Sequence, residues 1–118
     1  MKTINYNKKD LKLFVTSASN NRISVKILME NELYSKYQYL TVDFLSSCLK
    51  KCNYAFLNPD FPKDLKKMFK EEGLFGDTMQ ILCYDSKGYE LVAFNLEKLK
   101  EYDSTGVKKF LKTNSYER

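Results

Sequence analysis

The chain contains no histidine. That removes the commonest general base, the commonest metal ligand and the ordinary nucleophile–base pairs together. Proline and glycine are scarce, with two and four residues in 118. With 43% hydrophobic and 14% aromatic residues, the chain has enough apolar surface to offset the entropy of ordering, which excludes a collagen-like, linker-like or disordered polypeptide. No apolar run approaches the ~18 residues of a membrane span, so no membrane partner is expected. Arginine is limited to Arg22 and Arg118, leaving eighteen of the twenty cations as lysine. Lysine is a hydrated point charge, whereas bidentate recognition of phosphate or guanine favours arginine.

Cysteine is sparse and odd in number: Cys48, Cys52 and Cys83. The opening Met1-Lys2-Thr3-Ile4-Asn5-Tyr6 lacks the apolar core of a secretory signal. Both observations argue against a disulfide scaffold and lead us to expect a reducing, cytoplasmic setting. Cys48 and Cys52 lie four apart, on one face of a helix. Zinc would still need Cys83 and a carboxylate, and the spacing is not that of a C-x-x-C redox pair. Three small buried residues, with no metal and no cofactor, are the expectation.

What is present is a positive charge. The net charge is +5. Residues 1–59 carry nine Lys/Arg against four Asp/Glu, while residues 60–118 balance at eleven each. A surplus of this size aids solubility and raises weak affinity for polyanions, without amounting to a basic tail.

Hydrophobic periodicity supplies the elements. Leu11, Leu13 and Val15 alternate with Lys12, Phe14 and Thr16, a strand pattern. Ile23, Val25 and Ile27 alternate with Arg22, Ser24 and Lys26, a second strand that pairs with the first as a hairpin. Residues 33–40 read as a third strand. Thr41 then reads as an N-cap, followed by an amphipathic helix through Val42, Leu45, Cys48, Leu49 and Cys52. Residues 53–59 read as a connector with Tyr54, Phe56 and Leu57 tucked inward. A second helix carries Leu65, Met68 and Phe69, begins near Asp60, Phe61 and Pro62, and stops at Gly73. Residues 77–94 form a hairpin around Asp85-Ser86-Lys87-Gly88, apolar on both faces and so covered on one of them by helices. Asn95 caps a short helix carrying Leu96 and Leu99. A break at residues 103–106 follows, then a last helical stripe of Val107, Phe110 and Leu111. The order βββ-αα-ββ-α(α) predicts one α+β domain over residues 1–118. It would be a mostly antiparallel sheet of about five strands with two to four helices on one face.

Two constellations are candidate sites. Lys63, Lys66, Lys67 and Lys70 recur at i, i+3, i+4 and i+7, offering one helix face to phosphates or an acidic protein. The bland alternative is the solvated side of an amphipathic helix. Tyr34, Tyr37 and Tyr39, with Lys36 among them, could form a protein interface or stack bases on an open sheet. The bland alternative there is half-buried strand tyrosines. The basic-Gly-aromatic run of the common RNA-binding sheet is absent. Gly73-Leu74-Phe75-Gly76 lacks the Lys-Ser/Thr of a phosphate-cradling loop. Glu30 with Glu32, and Glu71 with Glu72, read as solvated surface rather than a general acid–base pair.

The Lys/Asn/Tyr-rich composition resembles that of small accessory proteins of phages and mobile elements. That resemblance implies a non-catalytic protein that occupies another macromolecule, such as a host defence nuclease or toxin. A basic protein of this kind would approach an acidic surface or a nucleic-acid-bearing complex. The leading expectation is therefore stoichiometric binding to a protein or protein–nucleic-acid complex. The alternatives are nucleic-acid binding through the lysine faces and strand tyrosines, and an enzyme built without histidine.

Overall fold

The computed structural model describes residues 2–18, 22–30, 35–44 and 53–114. The period-two alternation builds the first sheet as expected. β1 (Ile4–Tyr6), β2 (Lys9–Ser17), β3 (Ile23–Glu30) and β4 (Ser35–Tyr39) are antiparallel in the order β1-β2-β3-β4. Leu11, Leu13 and Val15 of β2 and Ile23, Val25 and Ile27 of β3 are buried on one face. β1 was not expected. Its two-residue connection to β2 has positive φ at both Asn7 and Lys8, the geometry of a type I′ turn. Without a glycine, that turn left little trace in the sequence.

At Leu40 the chain changes sheets. β4 pairs with β3, and directly afterwards β5 (Thr41–Val42) pairs with β6 (Tyr54–Leu57). Two hydrogen bonds from β3 fix the bend: Leu40 N–H donates to the Val25 carbonyl at 2.9 Å, and Val25 N–H donates to Thr41 Oγ1 at 3.1 Å. Thr41 is thus a buried acceptor at a strand switch rather than an N-cap. The rest of the helix expected to follow it, with Cys48 and Cys52, lies outside the described residues.

The second sheet runs β5-β6-β8-β7, with β7 (Gln80–Tyr84) and β8 (Lys87–Ala93). The expected hairpin is present, but its turn is Asp85-Ser86 alone, again with both φ positive, and Gly88 lies inside β8. Residues 54–57 are a strand rather than a connector. Their four-residue apolar run shows no alternation because Ala55 and Leu57 face the core while Phe56 is covered from the other side. That cover includes Phe44, whose ring meets Phe56 at 5.4 Å, Tyr84 at 5.7 Å and Tyr89 at 4.9 Å, all edge-on. The architecture is therefore α+β with two four-stranded antiparallel sheets, not one sheet of about five strands. Two helices occur among the described residues.

Helix α1 (Lys63–Glu71) starts directly after Pro62, which occupies the N-cap position with no side-chain cap. It ends as the sequence predicts: Gly73 takes φ +81°, its N–H donates to Lys70 O at 3.0 Å, and Leu74 N–H donates to Phe69 O at 3.1 Å. This paired closure of the last carbonyls is a Schellman motif. Helix α2 (Leu96–Asn114) is capped by Asn95, whose Oδ1 accepts from Lys98 N–H at 3.2 Å. It kinks at Asp103, within the predicted break. The buried Asp103 carboxylate caps the second half through Gly106 N–H at 3.0 Å and also accepts from Val15 N–H of β2 at 2.9 Å. Leu65 and Phe69 of α1 and Leu99, Tyr102, Val107 and Phe110 of α2 join the inner faces of both sheets in a common core. Each large apolar side chain so buried contributes about 1.5–3 kcal/mol.

Candidate binding face

The alternation that buries one face of the first sheet presents the other. The register sets Lys12 beside Leu28 and Leu28 beside Tyr37. One pair along, it sets Phe14 beside Lys26 and Lys26 beside Tyr39. The helices contribute their buried residues to the opposite, core side. Tyr37 and Tyr39 keep 47% and 49% of their surface in solvent, while Phe14, Lys26 and Leu28 are half-buried between the strands.

Lys26 organises this face. Its ammonium lies 4.3 Å from the centre of the Tyr37 ring and 5.7 Å from that of Tyr39. Cation–π contacts at such exposed sites are worth about 0.5–1 kcal/mol each, and they tie both rings to one ammonium. Phe14 meets Tyr37 edge-on at 6.0 Å. Asp10 stands at the far end, beside Asn5. The groups offered are phenol hydroxyls, ring surface and ammonium, which serve recognition of a surface carrying acceptors and negative charge.

The sequence singled out Tyr37 and Tyr39 correctly as neighbours on one strand face. Lys36 does not join them: it pairs with Met29 and has the opposite parity in β4. Lys26 takes the place expected of it, supplied by the neighbouring strand through a cross-strand register that a single strand's pattern does not contain. Phe14 and Leu28 were missed for the same reason. Tyr34 lies outside the described residues.

The second candidate, Lys63, Lys66, Lys67 and Lys70, does form one face of α1, and it is not simply solvated. Lys66 pairs with Glu90 at 3.2 Å and Lys70 with Asp77 at 3.0 Å. Glu90 is also bound by Thr78 Oγ1 at 2.6 Å. The Thr78 hydrogen bond, with help from the Lys66 ammonium, holds the Glu90 carboxyl below its ordinary range despite partial burial. Cys83 is exposed on β7, contrary to the expectation of a buried thiol. β7 is an edge strand, and Met79, Ile81 and Tyr84 beside or within it are also exposed. Among the described residues, no three His, Cys, Asp or Glu side chains are grouped to hold a metal ion. None of the described helices is long and apolar enough to cross a membrane.

The class the structure defines is an α+β protein in which two antiparallel sheets share a core and one leaves an aromatic, cationic face open. The family model described as Domain of unknown function (DUF4313) matches residues 11–114. The chain belongs to that family. Comparison with the curated proteins and with the solved structures gave no match.

Proposed function

We propose that this protein is a non-catalytic binding module that occupies an acidic surface of a protein partner, one to one, through the open face of its first sheet. The observation that carries this reading is the half-exposed pair Tyr37 and Tyr39 held around Lys26. Tyrosine buries large area at low entropic cost and is enriched where interfaces have an apolar body and a wet rim. A protein fits this face better than a single strand of nucleic acid does. Base stacking needs a free ring face, and Tyr37 has one ring face under the Lys26 ammonium and packs against Phe14. Occupancy is also how an inhibitor of a host defence nuclease or toxin would act, the mode implied by the compositional resemblance.

The test is affinity capture from the native host. The wild-type chain should recover one protein at equal stoichiometry. Tyr37→Ala and Tyr39→Ala should each lose it while retaining the wild-type circular dichroism spectrum. Wild-type recovery by both variants would remove the face from the account. Retardation of a single-stranded oligonucleotide at low salt, abolished by the same substitutions, would favour the nucleic-acid reading instead.

A further inference from the structure

The lysine face of α1 belongs to a cleft that shares no lining residue with the tyrosine face. The cleft encloses about 160 Å³ between α1 and the segments around β8. Lys63, Lys66, Lys67 and Lys70 line one side. Thr78 and Glu90 stand across from them, bridged by the Lys66–Glu90 pair, and Leu57 and Phe75 add apolar surface.

The charges do not cancel. Glu90 is engaged by Thr78 and Lys66, and Asp77 by Lys70. Lys63 and Lys67 have no acidic partner among the described residues. Four ammonium groups thus face two carboxylates. The Asp77 pair is exposed, a class of contact of little net worth that a competing anion displaces readily. Eight residues of helix carry these ammoniums over about 10 Å, seven rises of about 1.5 Å. That reach suits several linked oxyanions rather than one. Ammonium groups act as point charges that take phosphoryl oxygens in any orientation, so several along one helix face suit charge concentrated in closely linked tetrahedral groups.

We propose that this cleft binds a short chain of linked phosphoryl groups, as found in inorganic oligophosphates and in nucleoside polyphosphates. Lys63 and Lys67 contact the chain directly. Lys70 joins them by exchanging Asp77 for phosphate. Glu90 limits the affinity by holding Lys66. This site is independent of the tyrosine face.

The experiment is isothermal titration of the full chain with tripolyphosphate, a nucleoside triphosphate, orthophosphate and citrate, without divalent cations. Tripolyphosphate should bind one to one, more tightly than orthophosphate or citrate. The double variant Lys63→Gln/Lys67→Gln changes only exposed side chains and should keep the wild-type melting temperature, with binding weakened about tenfold. Glu90→Gln should strengthen binding, because it frees Lys66 and removes a negative charge. A nucleoside triphosphate that binds more tightly than tripolyphosphate identifies the nucleotide as the ligand. Equal or weaker binding identifies the inorganic chain. Absence of tripolyphosphate binding, citrate binding of equal strength, or unchanged affinity in the double lysine variant would overturn the proposal.

Discussion

Asp103 shows how much one side chain can organise. Its carboxylate closes the second half of α2 and satisfies the Val15 N–H where β1 no longer covers β2. Asp103→Ala removes a cap worth about 1 kcal/mol and leaves a buried donor unpaired at a further 1–3 kcal/mol. Chemical denaturation should therefore show a loss of about 2–4 kcal/mol, with Asp103→Asn intermediate because one good acceptor remains. Gly106→Ala should be at least as damaging, since a Cβ there collides with the Asp103 carboxylate and the Val15 carbonyl. Glu90 makes a different prediction. Its folded-state pKa lies below the ordinary 4.5, so the unfolded chain takes up the proton first as acid is added. The stability it contributes is complete above that value and is lost as pH falls through the folded-state pKa. Glu101, lowered by its hydrogen bond from Lys2, acts in the same direction. Acid titration of the melting temperature should show a shallower fall in Glu90→Gln than in the wild type between about pH 5 and pH 3. Of these residues, the sequence exposed only the break at 103–106. The second partner of Asp103 is 88 positions away, beyond any local pattern.

The two hairpin turns carry the next prediction. Asn7-Lys8 and Asp85-Ser86 each place two non-glycine residues at positive φ. Left-handed backbone costs an L-residue roughly 1–2 kcal/mol, and Asp-Gly is a favoured type I′ pair. Ser86→Gly should raise stability by about 0.5–1 kcal/mol after allowing for glycine's greater unfolded-state freedom. A lowered melting temperature would contradict the turn assignment. Elements with strict periodicity were legible: β2, β3, β4, α1 with its Gly73 stop, and both halves of α2. The β7–β8 hairpin was legible from two β-rich runs around a turn, though β7 is largely exposed rather than covered. Short or unpatterned segments were not. β1 has three residues and no glycine in its turn. β6 is apolar on both faces, which makes its period unreadable. β5 exists only because β3 supplies the hydrogen bonds that turn the chain at Leu40.

At the scale of the molecule, division into two sheets decides what remains for function. Both sheets turn one face to the common core, and Phe44 packs across the other face of the second. The first sheet keeps its Lys26–Tyr37–Tyr39 face open, and the α1 lysines border a separate cleft. Sequence parity could place Tyr37 and Tyr39 together and Lys36 apart. It could not bring Lys26 to them, because register between strands is set by the turns and the core. Substituting Lys26→Gln should therefore weaken partner binding while costing about 1 kcal/mol or less of stability, read by capture and by denaturation of the same sample. The most direct measurement is site-specific photocrosslinking in the native host, with p-benzoylphenylalanine replacing Tyr39 in one chain and Ile81 on the second sheet's edge in another. The binding-face account predicts one protein adduct of defined mass at position 39 and none of that mass at position 81. No adduct at 39, or the same adduct at both positions, would contradict it.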